Sequence, residues 1–464
     1  MSSTRRDFIR QSMVTTAGAA LGTFGMSAKS YASIQGANDR IRLGVIGVRN
    51  QGTVHLNAWC AIKDSHNVRV ATVCDTDEAL LGPAVTLVES KSGVTPTTQW
   101  DLHRVLEDKD IDAVSIVVPN HWHALAAILA CQAGKHVYVE KPASHNIREG
   151  RKMIEARDKY ARLMQVGLNN RSNANVIEAI AFLRNGGIGE LYMARALCFK
   201  ARDSYGMSAD GTPPATFHYD RWLGPAPWRP YNEKRGHYNW HWYWDTGNGD
   251  TGNTGPHQLD IARWGLARNE HPVTVYSAGG LYGFRKDDSV HTPGRRVYGG
   301  VETYGHDKTT QETPNTQTAT YTYADGTLLE METRGRYTNH EGSTGQEVGN
   351  LFFGSDGWLE INGSTWKAFR HRERTPFAGS SADRDGDHWA NFIDAMRAGK
   401  GDVLHSDIHE GHLSTSLCHL ANISYRVGRS LRFTGATERF VDAPDADALL
   451  TRTYRKPYVV PDAV

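Results

Sequence analysis

Ile41-Arg42-Leu43-Gly44-Val45-Ile46-Gly47-Val48-Arg49-Asn50-Gln51-Gly52 decides the fold of this 464-residue chain. An apolar run from Ile41 to Gly47 reads as a strand, and a helical pattern opens near Thr53. Strand, glycine turn and helix in that order make a phosphate-cradling βαβ start, in which glycines permit the tight turn and the helix N–H groups face a pyrophosphate. Gly47, Asn50 and Gly52 fit such a loop, whereas Arg49 stands where the middle glycine is expected. Either the loop is slightly displaced or the guanidinium itself meets the phosphates. Asp75 follows the second strand, Val68 to Cys74, where a carboxylate accepts hydrogen bonds from an adenosine ribose; the alternative is a plain turn residue. Because that carboxylate repels a 2′-phosphate, NAD is expected over NADP, with Arg49 softening the preference.

The alternation continues outward from this unit. Helices are expected at Leu102 to Leu106 and His123 to Ala133, and strands at Ala113 to Pro119, His136 to Glu140 and Met164 to Gly167. Gly134 suits a helix C-terminus, and Asn146 with Glu149 has capping-box spacing. Beyond residue 168 the pattern changes to hairpin signals at Asp325-Gly326 and Asp356-Gly357, with helices at His388 to Ala398 and Asp407 to Val427. The expected fold class is therefore α/β: an N-terminal Rossmann domain with a parallel sheet (38–167), then a C-terminal α+β domain with an open, mostly antiparallel sheet (168–440) and an extension (441–464).

Thr4-Arg5-Arg6-Asp7-Phe8 precedes an uncharged, weakly apolar stretch from Met13 to Met26, and Ser30-Tyr31-Ala32 offers a cleavage site. Residues 1–32 read as a twin-arginine signal peptide, with an amphipathic helix of the folded domain as the alternative. The expectation is engagement of the twin-arginine export machinery and a periplasmic location. The formal net charge of +1 gives no reason to expect nucleic acid as a partner. Five scattered cysteines show no metal-ligand spacing and read as buried small hydrophobes.

Two further constellations carry chemistry. Glu140-Lys141-Pro142 follows a parallel strand and so stands at the carboxyl edge of the sheet, where an ammonium can stabilise a developing alkoxide. His257, in Asn253-Thr254-Gly255-Pro256-His257-Gln258-Leu259-Asp260, is placed near a helix start as a general base; a capping or packed histidine is the plainer reading.

Together with Pro119-Asn120-His121-Trp122-His123 and the run Ala133 to Pro142, these segments resemble the Gfo/Idh/MocA family (glucose-fructose oxidoreductase/inositol dehydrogenase) over nearly all of residues 33–464. The resemblance implies an NAD(P)-dependent oxidoreductase acting on CH–OH groups, with Lys141 beside the nicotinamide and His257 taking the alcohol proton. It implies that Asn120, His123 and Glu140 line the nicotinamide pocket, and that the second sheet makes homodimer or homotetramer contacts. Family dehydrogenases commonly carry aspartate four residues before the histidine; here Asn253 stands there, and an amide cannot stabilise an imidazolium by charge. Asp260 is a candidate to compensate in part.

His237-Tyr238-Asn239-Trp240-His241-Trp242-Tyr243-Trp244-Asp245 sits just ahead of His257 and mixes flat aromatic faces with polar groups, which suits a sugar, glycoside or cyclitol; packing of the loop on the sheet is the alternative. Candidate substrate residues are Arg171, Tyr238, Trp240, His241, Trp244, Asp245 and His257, and candidate catalytic residues are Lys141, His257 and Asn253. Export implies a tightly bound NAD, reduced and reoxidised in place. A rival reaction is glycoside cleavage through transient oxidation and elimination, and a third reading is a non-catalytic sugar or nucleotide binder. No metal is expected: His405, His409 and His412, and the His121/His123 pair, lack the partners that would make a zinc site specific.

Overall fold

Six parallel strands form the first sheet: β1 (Ile41–Ile46), β2 (Val68–Cys74), β3 (Thr97–Gln99), β4 (Ala113–Ile116), β5 (His136–Val139) and β6 (Met164–Val166). Their order is β3-β2-β1-β4-β5-β6, so successive strands are added outward in opposite directions from β1 and β4, which opens a crevice at the carboxyl ends of those strands. The structure, a computed structural model, describes residues 39–282, 285–286, 308–335, 341–343, 347–363, 365–381 and 386–464. The expected signal segment 1–32 lies outside the described residues.

The second sheet collects β7 (Leu191–Cys198), β8 (Thr274–Gly280), β11 (Thr316–Thr322), β12 (Leu328–Arg334), β13 (Val348–Gly354), β14 (Gly357–Ile361), β15 (Trp366–Arg370), β16 (Ala378–Gly379), β17 (Leu431–Thr434) and β18 (Arg439–Phe440); a short pair, β9 (Arg285–Lys286) and β10 (Lys308–Thr309), stands apart. Its order is β16-β15-β14-β13-β7-β12-β11-β8-β17-β18, antiparallel throughout except where β12 runs parallel to β7. Strict alternation of burial along β12 shows that one face is packed. Helices Ala174–Arg184, Gly255–Gly265 and Ile408–Val427 cover that face, burying Ile180, Leu259 and Leu417 against Ala196, Met331 and Phe352. The fold is the expected parallel Rossmann sheet followed by a mostly antiparallel sheet with helices.

The first sheet is completed by chain from far downstream. Helix His388–Ala398 buries Phe392 and Ile393 among Leu43, Val45, Trp59 and Tyr138, and Trp389 stacks on Tyr138 with ring centroids 6.2 Å apart. Tyr458 and Val460 join the other core of that sheet, Tyr458 edge-on to Trp122. At the Asn146 cap, the asparagine side chain accepts from Glu149 N–H, while the Glu149 carboxylate reaches His145 N–H, one residue earlier than in a regular capping box. All five cysteines are free and buried. Among the described residues no helix is long and apolar enough to cross a membrane.

Candidate active site

The glycine-rich loop closes so tightly that only glycine fits at two positions. A Cβ on Gly47, whose φ is +89°, would stand 2.2 Å from Val117 O, and one on Gly52 would stand 2.2 Å from Gly47 O. Asn50 supplies the remaining bend with φ +41° and leads directly into helix Gln51–Ala61. Arg49 is exposed and lines the crevice beside Asn50. The Asp75 carboxylate accepts from Val48 N–H at 3.0 Å and Asp77 N–H at 3.0 Å. It thus ties the loop to the end of β2. Burial raises its pKa to about 6 against those two N–H groups. This geometry fits a dinucleotide: a glycine cradle, a helix N-terminus and a carboxylate at the neighbouring strand end.

The same cleft continues past Gly47 and Asp75 to Glu140, Lys141, His241 and Asn253. Lys141 Nζ donates to Asn253 O at 2.9 Å and to Asn253 Oδ1 at 3.2 Å. Asn253 therefore serves the lysine. Helix Gly255–Gly265 starts two residues later and carries His257, whose Nδ1 is buried without a partner among the described residues. Burial and the Lys141 charge push the imidazole down to about 3, only partly opposed by Glu140, so it is neutral at physiological pH. Burial lowers Lys141 as well, against the pull of Glu140. Lys141 and His257 thus lie near enough to act on one another, although His257 is not among the residues lining the cleft.

Glu140 is buried and doubly held. Its Oε1 accepts from His55 Nε2 at 2.8 Å and Gln51 Nε2 at 3.3 Å, and its Oε2 from Lys141 N–H at 3.1 Å. Burial alone would push this carboxyl up; the His55 hydrogen bond and the charges of His55, Lys141 and His257 together outweigh it and hold the group at about 2. With Glu140 ionised, His55 donates from Nε2, and its Nδ1 is hydrogen-bonded with Ser115 Oγ at 2.8 Å. His55→Leu removes this brace and frees the carboxylate to swing beside Lys141. The expected result is kcat reduced about 10- to 100-fold with dinucleotide affinity little changed, checked by steady-state kinetics and NAD titration.

The structure brings Tyr238, Trp240 and His241 into the cleft, with the Trp240 and His241 rings stacked at 3.6 Å. His123 lines it too, its ring nitrogens 2.6 Å from Pro142 O and 2.8 Å from Val118 O. Five residues stand elsewhere than expected. Asn120 turns from the cleft and donates to Asn248 Oδ1 at 3.1 Å. Arg171 is buried in an ion-pair knot, bidentate to Asp260 at 2.8 and 2.9 Å and paired with Glu410 at 2.7 Å, so no N–H fork remains for a sugar. Trp244 and Asp245 line a separate cavity, because the chain turns over Asn239–Trp242 and extends at Tyr243. Asp260 is occupied by Arg171 and by Ser414 Oγ at 2.7 Å; toward His257 it acts only as a distant charge, a lesser influence than Lys141.

The sequence reading missed His55 and Trp100. Trp100 follows β3 and lines the cleft beneath the Arg221 guanidinium, a flat face at the same end as Asp75. The weighed histidines do not converge: His405 Nδ1 bonds Ser172 Oγ, His409 is exposed, and His412 Nε2 donates to Glu438 at 2.6 Å. His271, His412 and Glu438 do lie with ligand atoms within 4.8 Å of one another. Arg151, however, grips Glu438 at 2.6 and 3.1 Å, and both Nδ1 atoms are buried without partners among the described residues. A metal-bound imidazole normally donates that N–H to a fixed acceptor, so the group is built as an ion-pair clamp.

A doubly wound sheet with a glycine cradle, joined to a lysine at the strand end, is the arrangement of a dinucleotide-binding domain. Residues 41–168 match the oxidoreductase family's NAD-binding Rossmann fold, and residues 206–281 and 374–460 match its C-terminal alpha/beta domain. The chain belongs to the Gfo/Idh/MocA family. A glycosyl hydrolase family 109 protein of Shewanella baltica (strain OS155 / ATCC BAA-1091) is 28% identical over 211 residues, 41% of this chain and 45% of that protein. The chain thus spans under half the length of that relative. The WlbA dehydrogenase of Bordetella pertussis, solved with NADH and UDP-GlcNAcA, superposes with a TM-score of 0.60 at 18% identity, covering 85% of this chain and 99% of that one. The aldose-aldose oxidoreductase of Caulobacter crescentus, solved with glycerol, gives 0.61 at 16% identity over 85% and 100%.

Proposed function

We propose that this protein oxidises a hydroxyl of a sugar, glycoside or cyclitol, using an NAD held tightly in the cleft. The observation that carries the reading is continuity: the glycine cradle, Asp75, Lys141, Asn253 and the Tyr238–Trp240–His241 surface line one cleft. A bound nicotinamide supplies the hydride acceptor. Lys141, fixed by Asn253, hydrogen-bonds the substrate oxygen and stabilises its developing charge. His257, kept unprotonated, takes the hydroxyl proton. Gly47, Arg49, Asn50 and Gly52 hold the pyrophosphate, Asp75 the ribose, and Glu140 steadies Lys141. The aromatic rings of Tyr238 and Trp240 pack on apolar C–H faces of the substrate. The sugar ligand named for the solved WlbA neighbour fits this substrate class. Export by the twin-arginine route, with the cofactor inside the folded chain, and assembly as a dimer or tetramer belong to the same proposal.

The similarity to the family 109 protein favours a second reading, glycoside cleavage by transient oxidation and elimination with the hydride returned. One experiment separates them. Protein denatured after purification is expected to release NAD or NADP detectable by mass spectrometry, and incubation with glycosides is expected to yield a keto product with reduced cofactor. Release of aglycone without net reduction would instead establish the second reading. Absence of any bound or bindable dinucleotide would defeat both.

A further inference from the structure

Behind the cleft lies a second cavity of about 310 Å³, walled by the end of helix Ile408–Val427, the segment 448–453 and the loop at 244–248. Its hydrogen-bond inventory is unbalanced. Arg426 is half-buried with its guanidinium 5.2 Å from the Trp244 ring centroid, and among the described residues it has no hydrogen bond or ion pair, Asp245 and Glu312 acting on it only as nearby charges. Arg452 reaches Asp245 O at 2.8 Å and His145 Nδ1 at 3.2 Å through one nitrogen, Nη1. Since arginine only donates, His145 Nδ1 must accept, which leaves the ring proton on Nε2. That Nε2–H is buried and without an acceptor, on a residue 9% exposed, and Trp244 Nε1–H is in the same condition.

The nearby carboxylates and amides are engaged with other partners. Arg229 pairs with both Asp245 and Glu312, and Glu312 also accepts Trp244 N–H at 2.9 Å. Asn422 Oδ1 accepts from Gln317, and Asn248 Oδ1 from Asn120. The Arg426 guanidinium and the His145 and Trp244 N–H groups are thus left without hydrogen-bond acceptors on these walls, and a desolvated donor without an acceptor is costly. We propose that this cavity binds a small oxyanion, a carboxylate or a phosphate, between Arg426 and Arg452, with the His145 and Trp244 N–H groups turning to it. A planar fork meets such an anion with two parallel N–H···O bonds. Asn248 forms part of this wall and, through Asn120, holds the start of the helix that borders the catalytic cleft, so the anion would sit against the framework of the active site.

The test is thermal unfolding of the full chain in the presence of saturating NAD, which occupies the phosphate loop, with inorganic phosphate or malonate added at constant ionic strength against chloride. The expected result is a saturable rise of about 3 °C at a hundredfold the dissociation constant. Arg426→Gln is expected to weaken the response at least tenfold, whereas Arg429→Gln, a surface arginine paired with Asp445, leaves it intact. If Arg426→Gln fails to fold, Arg452→Gln takes its place. A response to phosphate alone or malonate alone identifies the anion. An unaltered response in the Arg426 variant, or no response beyond chloride to either ion, overturns the proposal.

Discussion

Lys141→Met is expected to lower kcat about 10³-fold, close to 4 kcal/mol of lost transition-state stabilisation, while NAD affinity stays within a few-fold of wild type. Methionine keeps the stem's volume and removes the ammonium that bonds both the backbone oxygen and the amide oxygen of Asn253. The pH profile gives the loss its signature. His257 sits at about 3, so the wild-type rate should show no acid limb near pH 6 to 7, where a histidine base ordinarily titrates. Burial lowers Lys141, so the alkaline limb should fall below the usual lysine range, and it should vanish in the variant. Steady-state kinetics from pH 5 to 10 on both proteins check this; an unchanged alkaline limb would assign it to another group.

The second large effect is on stability. Asp260 lies 1% exposed under Arg171 and Arg263, and Glu410 completes the four-charge knot. Asp260→Asn leaves two buried guanidiniums facing one half-buried carboxylate, and the expected cost is about 3–5 kcal/mol, read from urea unfolding at pH 7. Burial pushes the Asp260 carboxyl up, but Arg171, Arg263 and the Ser414 hydroxyl together outweigh it, and the group titrates below the ordinary value. A depressed acid stabilises the fold fully above its unfolded pKa of about 3.9 and ceases to do so as pH falls through the folded value. The gap between wild type and variant should therefore be complete at pH 7 and close below about pH 4.

What the sequence disclosed follows from how local the signal was. Gly47 and Gly52 announce themselves because the backbone there tolerates no Cβ, and Lys141 because a strand end and a proline fix it. Asn253 was marked as a departure from the family pattern, but its duty to Lys141 rests on a contact across 112 residues. His55 was invisible: it lies one turn inside a helix, and its partners are 60 and 85 residues away. Arg171 was misplaced for the same reason, since nothing near it in sequence names Asp260 or Glu410. The aromatic run was read as one surface, yet a single turn at Asn239–Trp242 sends Trp240 and Trp244 into different cavities.

The docking of helix His388–Ala398 on the first sheet bears on how the protein is made. A ribosome that has emitted residue 170 has delivered all six parallel strands, yet Trp59 and Tyr138 still lack Phe392 and Trp389, which are more than two hundred codons away. Until those codons are translated the nascent Rossmann half carries an uncovered aromatic flank. A gene truncated after residue 168 should accordingly yield a sticky fragment that chaperones retain, and co-expression of the 386–464 piece should be the means of making it soluble.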